Sequence, residues 1–268
     1  MRTRKQKAEK HNTKIAVLFV IFVCLIVLFS FIFKLIQIMG QSRFDGINRF
    51  NISVSNSKNL KVVSFSPNSD SISVLNLNGE IKKLNASVFL ALPIDGFVEA
   101  EFLDFNNDVS GLTSTFFLNF GNIKTDLTII DTLRLFWASK TVSSKNVEIR
   151  EISTALDRDA ADKILGNLFF DQRLEKENQS VVIINTTSVS GLGLQVGRFV
   201  KNMGGKVVQI STENIPRKKS EILYNGEKTY TVERLNRIFG FKLSRVDREL
   251  VGDITIIIGE DNEGSNLF

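Results

Sequence analysis

Between Ile15 and Phe33 the chain reads IAVLFVIFVCLIVLFSFIF, nineteen residues without a single charge. At 1.5 Å per residue a helix of that length covers roughly 28 Å, about the hydrocarbon thickness of a bilayer. A cleaved signal peptide begins in the same way, but its apolar core is shorter, roughly 7–15 residues, and ends in a small-x-small cleavage site. The continuation KLIQIMGQSRF offers no such site. The run therefore predicts an uncleaved signal anchor, a single transmembrane helix over 15–38, preceded by a basic tail over 1–14.

The flanking charges predict its direction. Arg2, Arg4, Lys5, Lys7, Lys10 and Lys14 precede the span, whereas only Lys34, Arg43 and Arg49 follow it closely. By the positive-inside bias the amino terminus is expected in the cytoplasm and the rest outside the cell membrane. The six basic residues of the tail less Glu9 give +5, which is the net charge of the whole chain. Residues 15–268 thus carry 28 basic and 28 acidic groups. A nucleic-acid binder concentrates positive charge on its folded part, so nucleic acid is excluded as a partner and the membrane itself is the expected one. The only cysteine, Cys24, falls within the span, so no intrachain disulfide or thiolate metal site is available.

Beyond the span, residues 39–58 are rich in Gly, Ser and Asn and read as a spacer. Residues 59–175 read as mixed α and β. LKVVSF (60–65) and SISVLNL (71–77) flank Ser66-Pro67-Asn68-Ser69-Asp70, a strand–turn–strand pattern, and GFVEAEF (96–102) reads as a half-buried strand whose register slips at Ala100. Asp126 is placed to cap a helix with Leu127, Ile130, Leu133, Phe136 and Trp137 on one face. Asp157 is placed to cap another with Ala161, Leu165, Leu168 and Phe169 inward. Charged residues at Glu175-Lys176-Glu177-Asn178-Gln179 mark a composition shift between this segment and the next.

Residues 178–262 are patterned more sharply, ahead of a tail at 263–268. VVIIN (181–185) is a strand, Ser190 caps a helix carrying Leu192, Val196, Phe199, Val200 and Met203, Gly204-Gly205 ends it, and KVVQI (206–210) is the next strand. ILY (222–224), a helix capped by Thr231 and stopped at Gly240, and ITIIIG (254–259) follow. The expected fold class is α/β in the α+β sense: one transmembrane helix, a mixed α/β ectodomain and a small βαββαβ two-layer carboxy-terminal domain.

Reactive groups are scarce. Gly191-x-Gly193-x-x-x-Gly197 after a strand is close to a dinucleotide fingerprint, but it begins six residues past Asn185 and Ser211-Thr212-Glu213 follows the second strand where an acid should stand at its tip. Gly193 and Gly197 are better read as points of close helix–sheet packing. His11, the only histidine, lies before the span, so no imidazole base is available outside for a nucleophilic triad. The carboxylate groups Glu99/Glu101/Asp104, Asp157/Asp159/Asp162 and Asp253/Glu260/Asp261 fall at capping or exposed positions, so no metal site is predicted. The run Arg217-Lys218-Lys219 is a basic loop that either holds an anionic polymer or, as such runs usually do, keeps a loop solvated.

Two stretches carry a resemblance. VVIINTTSVSGLGLQVGRFVKNMGGKVVQIS and the later DITIIIGED resemble the carboxy-terminal domain of LytR-CpsA-Psr family proteins through Asn185-Thr186, Gly191-Leu192-Gly193 and Gly259-Glu260-Asp261. VVSFSPNSDSISVLNLNGE and LALPIDGFVEAEF are similar to parts of that family's phosphotransferase domain. The resemblance implies an extracytoplasmic envelope protein, with Asn185, Thr186, Gly191, Gly193, Arg217, Lys218, Lys219 and Asp261 as candidate binding residues. Where the family places Pro-Arg-Asp this chain has Asn78-Gly79-Glu80, and Arg134, Arg150, Arg158 and Arg173 are scattered, so the guanidinium expected on a lipid-linked pyrophosphate is missing. The expectation is a degenerate catalytic region with no catalytic residues and no cofactor, binding or scaffolding a cell-wall glycopolymer or an envelope protein. The alternative is an active phosphotransferase, with Mg²⁺, moving glycopolymer from a polyprenyl-diphosphate carrier to the wall.

Overall fold

A computed structural model describes residues 2–78, 86–106, 108–153, 156–247 and 250–263. Gly79 and Glu80, part of the departure from Pro-Arg-Asp, lie outside the described residues, as does most of the 263–268 tail. The chain divides into two compact units, 1–43 and 44–268. The first is helix α1 (Arg2–Gln41), whose portion from Lys14 is long and apolar enough to cross a membrane and is not buried at all.

In the second unit the expected spacer is corrected at once. Phe50–Ser55 is strand β1, and it lies inside a sheet rather than beside it. Its polar residues Asn51, Ser53 and Ser55 gave the segment the composition of a linker, but Phe50, Ile52 and Val54 alternate with them and are fully buried. The hairpin is found as expected: β2 (Leu60–Ser66) and β3 (Ser71–Asn78) pair antiparallel, with Asp70 left-handed at the turn. Strand β4 (Gly96–Glu99) stops where the register slips at Ala100. The sheet is completed by β5 (Lys124–Thr125) and β6 (Val147–Ser153), in the order β5-β4-β1-β2-β3-β6.

Helices cover both faces. On one, α3 (Val109–Leu118) and α4 (Ile129–Thr141) pack against Ile52, Val54, Val63, Phe65 and Val98. On the other, the short α2 (Ala86–Leu90) and α5 (Arg158–Leu168) pack against Val62, Leu75 and Leu77. Each aliphatic side chain so enclosed stabilises the fold by roughly 1.5–3 kcal/mol relative to its exposed state. Helix α3 was not legible in the sequence, because Thr113, Ser114 and Thr115 lend it the look of a loop. In the fold their hydroxyls bond back to the carbonyls of Val109, Ser110 and Gly111.

Helix α4 reverses its expected face. Thr128, not Asp126, caps it, closing a reciprocal capping box with Asp131, while Asp126 accepts from the Phe97 N–H at 2.8 Å. The buried side carries Asp131, Thr132, Leu135 and Ser139, and Trp137 stands 60% exposed. Polar groups face inward because each is answered there: Asp131 Oδ1 takes the Phe44 N–H at 2.9 Å, and Ser139 Oγ lies 2.6 Å from Thr113 Oγ1. Asp157 caps α5 as expected.

The carboxy-terminal part adds α6 (Gln172–Glu177), β7 (Ser180–Asn185), α7 (Leu192–Asn202), β8 (Lys206–Thr212), β9 (Glu221–Tyr224), α8 (Tyr230–Phe239), β10 (Lys242–Arg245) and β11 (Ile254–Ile258). Its sheet runs β10-β9-β11-β7-β8, with β11, β7 and β8 mutually parallel and β9 antiparallel to β11. Both α7 and α8 pack on one face, where Phe199 and Phe239 meet at 5.9 Å. The mixed α/β class is as expected, with one strand more, β10, hidden in KLSR because Leu243 is its one apolar residue. Gly191 in the left-handed conformation, not Ser190, starts α7, and Thr229, not Thr231, caps α8.

The charged run at 175–179 is engaged with α8. Glu177 sits at the start of α8, accepting from the Tyr230 N–H at 3.0 Å and the Thr231 N–H at 2.7 Å. Burial acts to raise the Glu177 pKa, but the Thr231 hydroxyl and these backbone donors outweigh it and hold the carboxyl below its ordinary value. Asp162, gripped by Arg198 and Asn202 against the same opposing burial, is lowered too. Groups lowered on folding contribute stability that is complete above their ordinary pKa and lost as pH falls through the folded one. The urea midpoint is therefore expected to fall as pH drops from about 5 to about 3, and Glu177→Gln to flatten that fall.

Candidate functional site

The residues singled out in the sequence gather where β7 and β11 end. Thr186 extends past β7, its Oγ1 donating to the Ile258 carbonyl at 2.7 Å and accepting from the Arg217 N–H at 3.2 Å. The Ser220 hydroxyl donates to Asp261 Oδ1 at 2.7 Å and accepts from the Gly259 N–H at 2.9 Å, while the Ser220 N–H reaches the same Asp261 oxygen at 2.9 Å. Gly259 is required by crowding, since a Cβ there would lie 2.6 Å from the Lys219 carbonyl carbon and 2.7 Å from the Arg217 oxygen. Thr186, Ser220, Gly259 and Asp261 thus sew the 213–220 loop to the strand ends. They hold Arg217, Lys218 and Lys219 out into solvent, with Ile215 76% exposed beside them.

Asn185 is turned inward and closes its own loop. Its Oδ1 accepts from the Thr187 N–H and hydroxyl, and its Nδ2 donates to the Val189 carbonyl at 2.9 Å. Gly191 has φ +81°, and Gly193 lies against the Asn185 Cβ and the Ile210 methyl, so both glycines serve the turn and helix packing. The carboxyl ends of parallel strands are where open α/β sheets present their ligand sites, and here that edge is basic. Among the described residues no three His, Cys, Asp or Glu side chains converge as a metal cluster.

A second polar constellation was missed in the sequence. Asp95, the acid of LALPIDGFVEAEF, receives both Nη1 and Nη2 of Arg234, at 2.6 and 3.0 Å, with the arginine side chain 2% exposed. Burial works against the Arg234 charge, Asp95 more than restores it, and the guanidinium ends above its ordinary pKa. Alongside, the Tyr230 hydroxyl donates to Asp171 at 2.6 Å and Arg173 lies over the Tyr230 ring at 4.4 Å. Burial pushes the Tyr230 phenol up, so it serves as a donor. No short motif marks this cluster, because its members lie 59 and 139 residues apart in sequence.

A 320 Å³ apolar cavity beside α4 is lined by Phe44, Phe65, Ile72 and Trp137, with Arg134 as its single arginine. The Arg134 Nη1 donates to the Phe44 carbonyl.

Residues 178–261 match the family described as LytR cell envelope-related transcriptional attenuator. Among solved structures, the transcriptional regulator yvhJ from Bacillus subtilis aligns with 14% identity over 39% of this chain and 82% of that one, at a TM-score of 0.32. Bacillus subtilis TagV aligns with 10% identity over 39% and 84%, at 0.29. Likeness of that size assigns no residue a role. No curated protein matches the chain.

Proposed function

We propose that this is a single-pass membrane protein with a cytoplasmic amino terminus, whose folded unit outside binds or scaffolds an anionic wall glycopolymer without catalysing its transfer. What carries the reading is the basic loop Arg217-Lys218-Lys219, held on a LytR-type module by Thr186, Ser220, Gly259 and Asp261. Asp95 supports the non-catalytic part: the acid in the phosphotransferase-like segment is engaged in a buried ion pair with Arg234 and bonded by the Asn51 N–H. An envelope protein partner at the same loop is the second form of this reading, and the exposed Ile215 beside the charges favours it.

Replacing Arg217, Lys218 and Lys219 together by Gln is expected to weaken binding of the full chain, in nanodiscs, to purified anionic wall polymer by roughly tenfold, since three screened contacts of about 0.2–1 kcal/mol each sum to that order. Unchanged binding would refute the loop as the contact. Transfer of glycopolymer from a polyprenyl-diphosphate donor by the purified chain would refute the non-catalytic reading. Protease added to intact protoplasts is expected to remove residues 44–268, and their protection would reverse the orientation.

A further inference from the structure

A polar cavity of about 420 Å³ lies away from the basic loop, between the start of β3 and β6 on one side and the α5–α6 junction on the other. Its size falls within the roughly 300–1,000 Å³ of small-molecule sites. Ser71, Ser73, Asn146 and Asn167 line it with hydroxyl and amide groups, and Arg49 and Lys145 bring positive charge. Glu148 also faces it, its carboxylate held by Arg150 at 2.9 Å.

Arg49 is only partly used by the fold. Its Nη1 donates to Ser64 Oγ at 2.9 Å and to the Leu168 carbonyl at 3.1 Å, while its Nε is buried with no hydrogen-bond partner. Neither Arg49 nor Lys145 has a carboxylate within ion-pair distance among the described residues. Burial pushes the Arg49 guanidinium down to about 10, with Asp171 only partly opposing it. A donor left unmade in the interior costs about 1–3 kcal/mol, more when charged, so the fold leaves part of the Arg49 hydrogen-bonding capacity and its charge uncompensated beside the cavity. A mobile surface side chain has to be ordered before it can grip an anion, whereas a half-buried guanidinium fixed by two bonds is already oriented for a planar oxyanion.

We propose that this cavity binds an oxyanion carried on a sugar, with Arg49 and Lys145 taking the charge and the serine and asparagine side chains taking the hydroxyls. The site is separate from the basic loop and does not rest on that loop's role.

The test is calorimetric titration of the full chain in nanodiscs with three probes: a uronic-acid disaccharide, glycerol phosphate, and a neutral disaccharide. The uronate or the phosphate is expected to bind, which of them doing so identifying the oxyanion, and the neutral sugar to bind at least about tenfold more weakly. Lys145→Ala and Asn167→Trp, both at exposed positions that leave the core intact, are expected to weaken the anionic probe by about tenfold or more with unchanged thermal unfolding, and Arg49→Gln to abolish it. The triple glutamine variant of the basic loop is expected to bind as the unaltered chain does. Failure of both anionic probes to bind, equal binding of the neutral sugar, or binding indifferent to Lys145→Ala and Asn167→Trp would overturn the proposal.

Discussion

Arg234→Ala is expected to lower the unfolding free energy by about 3–5 kcal/mol, because it strands the Asp95 carboxylate in a buried site without its bidentate partner. The magnitude follows from enclosure: the two side chains are 2% and 9% exposed, so water does not replace what is removed. Asp95 would retain the Asn51 N–H at 2.9 Å on Oδ2, a neutral donor in place of the guanidinium. Asp95→Asn in the same background should restore part of the loss, since the stranded charge is then gone, and urea denaturation of the two variants measures the difference. If Arg234→Ala unfolds at the same midpoint as the unaltered chain, the ion pair does not join the two sheets.

Gly259→Ala is expected to cost about 3 kcal/mol or more, at the upper end of overpacking effects. The added methyl would meet the backbone of Lys219 at 2.6 Å and of Arg217 at 2.7 Å, and backbone has no rotamer to yield with. The Gly197→Ala variant provides the control. Its methyl would also come within 2.6 Å of a neighbour, but that neighbour is the Ile210 Cδ1, the free end of a side chain that has room to rotate. A smaller loss at Gly197 than at Gly259, read from thermal unfolding, is therefore expected. On the proposed role of the loop, a polymer-binding assay is expected to separate them further, because only the Gly259→Ala methyl meets the backbone that bears Arg217 and Lys219.

How much was legible in the sequence varied with the reach of the interactions involved. The β2–β3 hairpin, the Asp157 cap and the α7 and α8 faces all depend on residues within a few positions of each other, and each was readable from periodicity and turn chemistry. Strand β1 was concealed because its polar alternates matched linker composition, and composition does not record that β2 and β4 pair on both its sides. The α4 face was misread for a related reason. Hydrophobic periodicity favours Leu133 and Trp137 as the inner side, while the actual inner side is specified by partners on Phe44 and Thr113, which only the fold brings near. The basic loop was visible as a charge run, but the cluster of Asp95, Asp171, Tyr230 and Arg234 was not, because its spacing follows no local rule.

The place of β1 also bears on mechanical load. The polypeptide leaving α1 at Gln41 is clamped at Phe44 by Asp131 and Arg134 and then passes directly into an interior strand. Tension applied through the anchor therefore meets two flanking ladders together, one antiparallel to β2 and one parallel to β4, and neither is free to unzip first. Pulling on the segment that leads into β1 therefore has to break two ladders at once rather than peel away an edge strand.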